Sequence, residues 1–273
     1  MVVLALECGK PMDMPLNLTP ARDDGMAVDL QAPTAERPLT LLKLRLMCEL
    51  RALEREGAGG LAMLRHLLAS PLRGRTAVVS AFGAESALLL ALVAEIDRAV
   101  PVIFLETGKH FPETLAHRDR VTAHLGLTDV RSVHPQDAQL TARDPDGELW
   151  QYDTDACCTL RKVEPLEQAL SGIEVWISGR KRFQAATRSD LRFTEEEGER
   201  LKLNPLADWD AGRILAELEA RGLPRHPLVD RGYPSIGCAV CTRSVRPGED
   251  SRAGRWSGSG KTECGIHRPG DAA

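Results

Sequence analysis

Residues 76–105 read TAVVSAFGAESALLLALVAEIDRAVPVIFL. Thr76–Ala81 (TAVVSA) is a short apolar run rich in β-branched residues, the pattern of a buried strand. A glycine-bearing turn follows, and Ser86–Arg98 then carries apolar residues over three helical turns. Val102–Leu105 is a second buried strand. The alternation continues through a helix at Pro112–Leu125, a strand at Val130–Val133, a helix at Cys157–Leu170 and a strand at Ile173–Ser178 (IEVWIS). Buried strands separated by helical crossovers imply an α/β fold, a parallel sheet with helices on both faces. Further on, Glu195–Arg200 (EEEGER) reads as a solvated turn and Lys202–Leu206 as an edge strand. Asp210–Arg221 reads as a helix stopped by Gly222 and Pro224.

Upstream, apolar residues at Leu39, Leu42, Leu46, Leu50 and Leu53 recur every three or four positions, and a second helix carries Leu61, Leu64 and Leu68. Cys48 and His66 within these helices read as a packed thiol and a half-exposed imidazole. Residues 1–36 lack periodicity and are expected to be a disordered extension. The expected division is an α/β domain over 37–236 and a cysteine-bearing segment of that same domain over 237–273. With 273 residues, 43% hydrophobic and 27% charged, the chain has length and apolar content for a sizeable core. The net charge of −4 gives no general attraction to nucleic acid or to an anionic membrane. The longest apolar run, Ala87–Ala94, is too short to span a bilayer. No signal-peptide pattern opens the chain, and seven cysteines make an odd count. A reducing, cytoplasmic setting with metal or redox thiols is expected.

Ligands of open α/β sheets bind outside the carboxyl ends of the strands. Three loops there have nucleotide character. Ser80–Ser86 (SAFGAES) leads into a helix N-terminus, where backbone N–H groups favour an anion. Glu106–Thr114 (ETGKHFPET) follows the second strand. Gly179–Arg188 (GRKRFQAATR) follows the last and places four cations in ten residues.

The chemistry concentrates in cysteines. Cys157 and Cys158 are adjacent and are followed by Arg161 and Lys162; Cys238 and Cys241 form a CxxC pair. Structural zinc draws on two separated pairs, and adjacent thiols suit its tetrahedron poorly. A cubane offers each thiolate its own iron, so an iron–sulfur cluster is the first reading and zinc the second. Arg161 and Lys162 would offset the thiolate charge. Cys264 stands apart in ECGIH, with His267 three residues on and Arg252, Arg255 and Lys261 upstream. Cations raise a thiolate fraction, so Cys264 reads as a nucleophile.

The segments CCTLRKVEPL, GYPSIGCAVCT, RPGEDSRAGRW and ECGIH, with the GRKRFQAATR and ETGKHFPET loops, closely resemble the assimilatory adenylyl-sulfate/phosphoadenylyl-sulfate reductases. The likeness covers about residues 70–267, and the two cysteine pairs resemble the cluster-containing branch. The resemblance implies the adenine-nucleotide α-hydrolase-like, PP-loop fold with a flexible catalytic tail. It implies that Cys157, Cys158, Cys238 and Cys241 ligate a [4Fe–4S] cluster. Lys162, Arg252, Arg255 and His267 would hold the phosphosulfate. Ser80 and Gly83 belong to the phosphate-facing loop, while Leu105, Thr107, Gly108, Gly179 and Arg180 would flank the adenosine. The first loop departs from the family's common SFSGAED at Phe82 and Ser86, and Glu106 stands where the second loop commonly has aspartate.

On that resemblance, Cys264 attacks the sulfur of adenylyl sulfate and AMP leaves. Thioredoxin, or glutaredoxin with glutathione, then releases sulfite from Cys264, as sulfate assimilation toward cysteine requires. The reductant is external because the chain's one CxxC is assigned to the cluster. A homo-oligomer is possible. The alternatives are a phosphoadenylyl-sulfate reductase releasing adenosine 3',5'-bisphosphate, a PP-loop tRNA-thiolating enzyme and a zinc-ribbon nucleic-acid-binding module. The tRNA-thiolating enzyme would carry an SGGxDS loop, which is missing here, and the zinc ribbon would be basic with aromatic platforms, whereas the net charge is −4 and aromatics are 4% of the chain.

Overall fold

The apolar runs lie side by side in one six-stranded sheet. The structure is a computed structural model that describes residues 36–258, 261 and 263–267. The extension expected over residues 1–36 lies outside these except at Glu36. In chain order the elements are α1 (Glu36–Arg55), α2 (Gly60–Ala69), β1 (Thr76–Val79), α3 (Ser86–Ala94), β2 (Val102–Leu105), α4 (Pro112–Leu125) and β3 (Val130–Val133). There follow α5 (Asp137–Arg143), α6 (Leu149–Tyr152), α7 (Thr154–Cys158), α8 (Glu164–Ala169), β4 (Val175–Ile177), β5 (Thr194–Glu197), β6 (Arg200–Leu203) and α9 (Ala211–Ala220).

The strand order is β3-β2-β1-β4-β6-β5, parallel throughout except for β5, which runs antiparallel to β6. Strand side chains alternate between the faces. Val78, Val102, Phe104, Val175, Ile177, Leu201 and Leu203 join the core that includes residues of α1, α2, α3 and α9. Ala77, Ile103, Leu105 and Trp176 meet Leu166 and Leu170 on the other side. Helices therefore cover both faces, as expected. Helix α3 is apolar all round because it is buried all round, from Ala87 to Val93. Order reverses at β1, whose neighbours are β2 and β4, so the loops after β1 and β4 flank the switch point.

Two expectations are corrected. Lys202 lies in β6, which is not at the edge; the edge strand on that side is β5, drawn from the stretch read as a solvated turn. Glu195 faces Lys202 and Glu197 faces Arg200 across the ladder, so these acids pair with cations and do not merely face water. Gly198, at φ +57°, opens the two-residue turn between the strands. The helix expected over Cys157–Leu170 begins at Thr154, where the Asp153 carboxylate accepts the Ala156 N–H at 2.8 Å. Thr159–Val163 then widens into a π turn before α8. Pro165 has no N–H for the Arg161 carbonyl, which accounts for the local change of pitch.

Cys48 in α1 is disulfide-bonded, not the free packed thiol expected. His66 is partly exposed as expected and bonds Glu49 at 2.8 Å. Among the described residues no helix is long and apolar enough to cross a membrane.

Under the C-terminal approach lies a pair of buried imidazoles. His117 of α4 and His226 meet with ring centroids 4.8 Å apart and planes tilted by 56°. Among the described residues, neither ring nitrogen of His117 has a partner. His226 Nδ1 accepts the Leu228 N–H at 3.2 Å, so its Nε2–H donates to Thr114 Oγ1 at 3.0 Å. Burial pushes each pKa down to about 4, with the positive charge of Arg120 adding to the effect. Both rings are thus neutral in the fold and take protons on unfolding, so stability falls as pH drops from about 6.5 toward 4. His117→Phe should make the loss of unfolding free energy between pH 8 and pH 5 smaller by about 2 kcal/mol, measured by denaturant titration. An unchanged pH dependence would show that His117 is protonated in the fold.

Candidate functional site

The loops at the carboxyl ends of the strands enclose a cleft of about 410 Å³, a volume suited to a small organic ligand. Its floor is the turn between β1 and α3. Ser80 Oγ accepts the Phe82 N–H at 3.2 Å, and Ser86 Oγ accepts the Gly83 N–H at 2.9 Å. Phe82 adopts φ +47°, unusual for a bulky residue, and its buried ring meets Phe104 edge-on at 5.6 Å. The two residues that depart from the family's wording thus serve the turn itself: Phe82 anchors it in the core and Ser86 closes it.

The loop after β4 forms the second wall. Lys181 Nζ donates to Glu85 Oε2 at 2.7 Å, and Gln184 Nε2 donates to the same oxygen at 2.9 Å. The two loops at the switch point are tied together through this carboxylate. The third wall is the cysteine-bearing segment, with Ser235–Gly237, Arg252, Arg255, Trp256 and Glu263, Cys264, Ile266 and His267.

That segment folds back on itself. The Arg243 N–H donates to Gly254 O and the Trp256 N–H to Cys241 O, both at 2.9 Å, so the RPGEDSRAGRW loop returns beside the CxxC pair. Arg255 Nη1 donates to Ile236 O at 3.2 Å and to Ser235 Oγ at 3.3 Å. Its guanidinium lies 4.4 Å from the Trp256 ring centroid. Gly237 leaves it room, because a Cβ there would collide with the guanidinium.

Cys157, Cys158, Cys238 and Cys241 line a second, smaller cavity together with Lys109, Arg161, Lys162 and Arg255. Its free space is about 10 Å³, room for one water. The loop after β2 supports the CxxC pair: Thr107 Oγ1 lies 3.3 Å from Cys238 Sγ, and Ala239 N–H donates to Lys109 O at 2.7 Å. Arg161 is pinned by Asp144 at 2.5 Å and by Thr107 O at 2.8 Å. Lys162, Arg255 and Trp256 line both cavities and stand between the thiols and the cleft. Among the described residues no three His, Cys, Asp or Glu side chains are arranged to hold a metal ion.

The thiols divide electrostatically. Burial pushes Cys157 up to about 11, Arg161 drawing it back in part, and burial likewise raises Cys241. Cys158 is raised by its hydrogen bond to Cys264 and by burial. Cys264 goes the other way, well below the usual thiol value. The hydrogen bond from Cys158, the charge of Lys162, the Ile266 N–H and the charge of Arg255 together outweigh the cost of burial. Burial alone would lower the pKa of Lys162, but the facing thiols of Cys238, Cys264 and Cys158 raise it. His267 stacks on Trp176 with centroids 6.0 Å apart and ring planes nearly parallel. Burial, with the charges of Lys202, Arg180, Arg188 and Arg252, holds its pKa well below 6.5, so the imidazole is neutral.

The description "Phosphoadenosine phosphosulfate reductase domain" matches residues 75–244. An adenosine 5'-phosphosulfate reductase of Mesorhizobium japonicum is 53% identical over 194 residues, 71% of this chain and 76% of that one. The chain belongs to the phosphoadenosine phosphosulfate reductase family. A relative from Gloeobacter violaceus named phosphoadenosine 5'-phosphosulfate reductase is 43% identical, covering 70% of this chain and 81% of that one. Among solved structures, the phosphoadenylyl-sulfate reductase of Candida auris in a phosphate complex superposes with a TM-score of 0.60 at 26% identity, over 72% of this chain and 96% of that one.

Of the residues expected to meet substrate, Ser80, Gly83, Leu105, Lys162, Gly179, Arg180, Arg252 and Arg255 line the cleft, as do Cys264 and His267. Thr107 and Gly108 are not among the cleft-lining residues. The Thr107 hydroxyl is turned to Cys238, and the Gly108 N–H is taken by Glu106 Oε1 at 3.0 Å. Sequence reasoning missed His110, whose Nε2–H donates to Leu105 O at 2.9 Å at the cleft wall. It also missed Glu85 with Lys181, although both stand in the loops it singled out.

The room that Gly237 gives Arg255 can be tested. Gly237→Ala should displace the guanidinium from Ser235 and Ile236 and weaken AMP binding about tenfold, or 1.4 kcal/mol, by calorimetry. Wild-type affinity in that variant would mean that Arg255 does not need its present seat.

Proposed function

We propose that the chain reduces adenylyl sulfate to sulfite and AMP through an S-sulfo intermediate on Cys264. The observation that carries this reading is the convergence of Cys264, Lys162, Arg252, Arg255 and His267 in one nucleotide-sized cleft. The Cys264 thiolate attacks the sulfate sulfur. An S–S bond forms as the S–O bond to phosphate breaks, and AMP leaves with that electron pair on a phosphate oxygen. Lys162, Arg252 and Arg255 offset the charge of the incoming anion and of the leaving phosphate. The neutral imidazole of His267 donates one hydrogen bond to a sulfate oxygen. Ser80 and Gly83 present the floor turn to the nucleotide, and Leu105, Gly179 and Arg180 stand beside it.

A dithiol of the thioredoxin class, or glutathione with glutaredoxin, supplies the two electrons. Its thiolate attacks Cys264 Sγ, sulfite leaves with the S–S electron pair, and a second thiol resolves the mixed disulfide. Thioredoxin is the favoured donor. The reaction belongs to sulfate assimilation in the cytoplasm, and the segment after Gly237 works as part of the same domain as the α/β core. Thr107 and Gly108 act on the cysteine side of the wall.

The donor set fits a [4Fe–4S] cluster. Four thiols on two backbone-tied segments line one cavity with four cations. The sulfurs of a mononuclear tetrahedral zinc site stand about 3.8 Å apart, from Zn–S bonds of roughly 2.3 Å. Adjacent thiols such as Cys157 and Cys158 suit that tetrahedron poorly, whereas a cubane accepts each thiolate on its own iron. Bound there, the cluster would supply a fixed charge next to Lys162 and the cleft.

A second reading, reduction of phosphoadenylyl sulfate, is favoured by the names of the Gloeobacter relative and the Candida auris structure. Sulfite release from both nucleotides, with thioredoxin present, decides between them. The expected result is a higher kcat/KM for adenylyl sulfate, and a tenfold preference the other way would reverse the assignment. Cys264→Ser should keep about four irons per chain and its AMP affinity but release no sulfite. Turnover by that variant, or protein with stoichiometric zinc and no iron, would contradict the corresponding part.

A further inference from the structure

Next to Cys264 is a carboxylate that the chemistry above does not use. Arg188 Nε donates to Glu263 Oε1 and Arg188 Nη2 to Glu263 Oε2, both at 2.6 Å. Thr187 Oγ1 reaches Oε1 at 3.3 Å and Arg252 Nη2 reaches Oε2 at 3.4 Å. The Arg188 and Glu263 side chains are 8% and 16% exposed, so the pair is largely removed from water. A two-pronged arginine–carboxylate contact fixes orientation as well as distance. A buried ion pair adds little net stability, because desolvation consumes the Coulomb gain. Its cost is compatible with a role in geometry.

The pair also has a continuation. Arg188 Nη1 donates to Gln184 Oε1 at 2.6 Å, and Gln184 Nε2 donates to Glu85 in the turn before α3. An unbroken line of hydrogen bonds therefore runs from the anion-facing turn to the residue before Cys264. The same segment is also held by the hydrogen bond between Cys158 and Cys264, the stack of His267 on Trp176 and the packing of Gly265 on Val163, but none of these ties it to the turn before α3. Burial opposes ionisation of Glu263, but Arg188 and Arg252 outweigh it and hold the carboxyl below its ordinary value.

We propose that Glu263 is a positioning residue that, through Arg188, Gln184 and Glu85, seats Cys264 in register with the anion-facing turn. This deepens the reductase reading and rests on it for the reaction alone. The seat fixes the direction from which the thiolate meets a sulfur whose phosphate is held by the floor and the cations. Without the carboxylate, Arg188 and Arg252 are left as neighbouring buried cations and the Cys264 segment loses its two-pronged anchor.

The test compares wild type with Glu263→Ala, Glu263→Gln and, as a control on the same segment, Glu249→Gln, which alters an exposed pair with Arg243. Three quantities are read: exchange of the His267 amide, which donates to Cys264 O at 3.0 Å; AMP affinity; and single-turnover AMP release from adenylyl sulfate without reductant. Glu263→Ala should speed exchange about tenfold. It should slow AMP release about 100-fold and leave AMP affinity within about threefold. Glu263→Gln should fall between, and Glu249→Gln should match wild type. Wild-type exchange in Glu263→Ala, undiminished AMP release, or a loss of AMP affinity as large as the loss of rate would overturn the proposal. If wild-type protein itself releases no AMP, the reductase reading fails, and exchange alone decides whether the seat exists.

Discussion

Two half-buried cations stand between a set of thiols and a cleft, and the rest of the site depends on them. Lys162 and Arg255 line both cavities. A buried charge is costly unless it is paired, and here the partners are sulfur. Lys162 is held charged against the penalty of burial by Cys238 and Cys264 above all. The chain commits structure to keeping these cations in place. The π turn sets Lys162 one step beyond Arg161, which Asp144 pins, while Gly237 and the Trp256 ring frame Arg255.

From this follows the division of labour among the cysteines. Cys157, Cys158 and Cys241 are raised, and such thiols are inert until a metal displaces their protons. Cys264 is lowered by the Cys158 hydrogen bond, Lys162, its own local backbone and Arg255. One group of cations thus serves two proposed ends, offsetting a thiolate cluster on one side and readying a nucleophile with its anionic substrate on the other. The sheet makes this economical, since the loops after β1 and β4 meet at the switch point and the cysteine segment closes the remaining side.

Much of this was legible in the chain. Buried parallel strands are continuous apolar runs, so β1, β2 and β4 stand out, and the CC, CxxC and ECGIH segments mark the site directly. What was not legible depends on contacts distant in sequence. β5 is three glutamates in a row, and only the facing Lys202 and Arg200 make it a strand. The π turn follows from Pro165, a signal that was present but is hard to separate from an ordinary first-turn proline. The turn of Thr107 toward Cys238 and the grip of Arg188 on Glu263 join residues 131 and 75 positions apart, which periodicity cannot reveal. The pair of His117 and His226 is of the same kind.

The central claim is that Cys264, and none of the four thiols behind Lys162 and Arg255, takes the sulfur group. It is tested most directly by mass spectrometry of wild-type protein incubated with adenylyl sulfate and no reductant. The account predicts one added sulfonate, found on the Cys264 peptide and removed by thioredoxin. The same mass on a peptide carrying Cys157, Cys158, Cys238 or Cys241, with Cys264 unmodified, would contradict it.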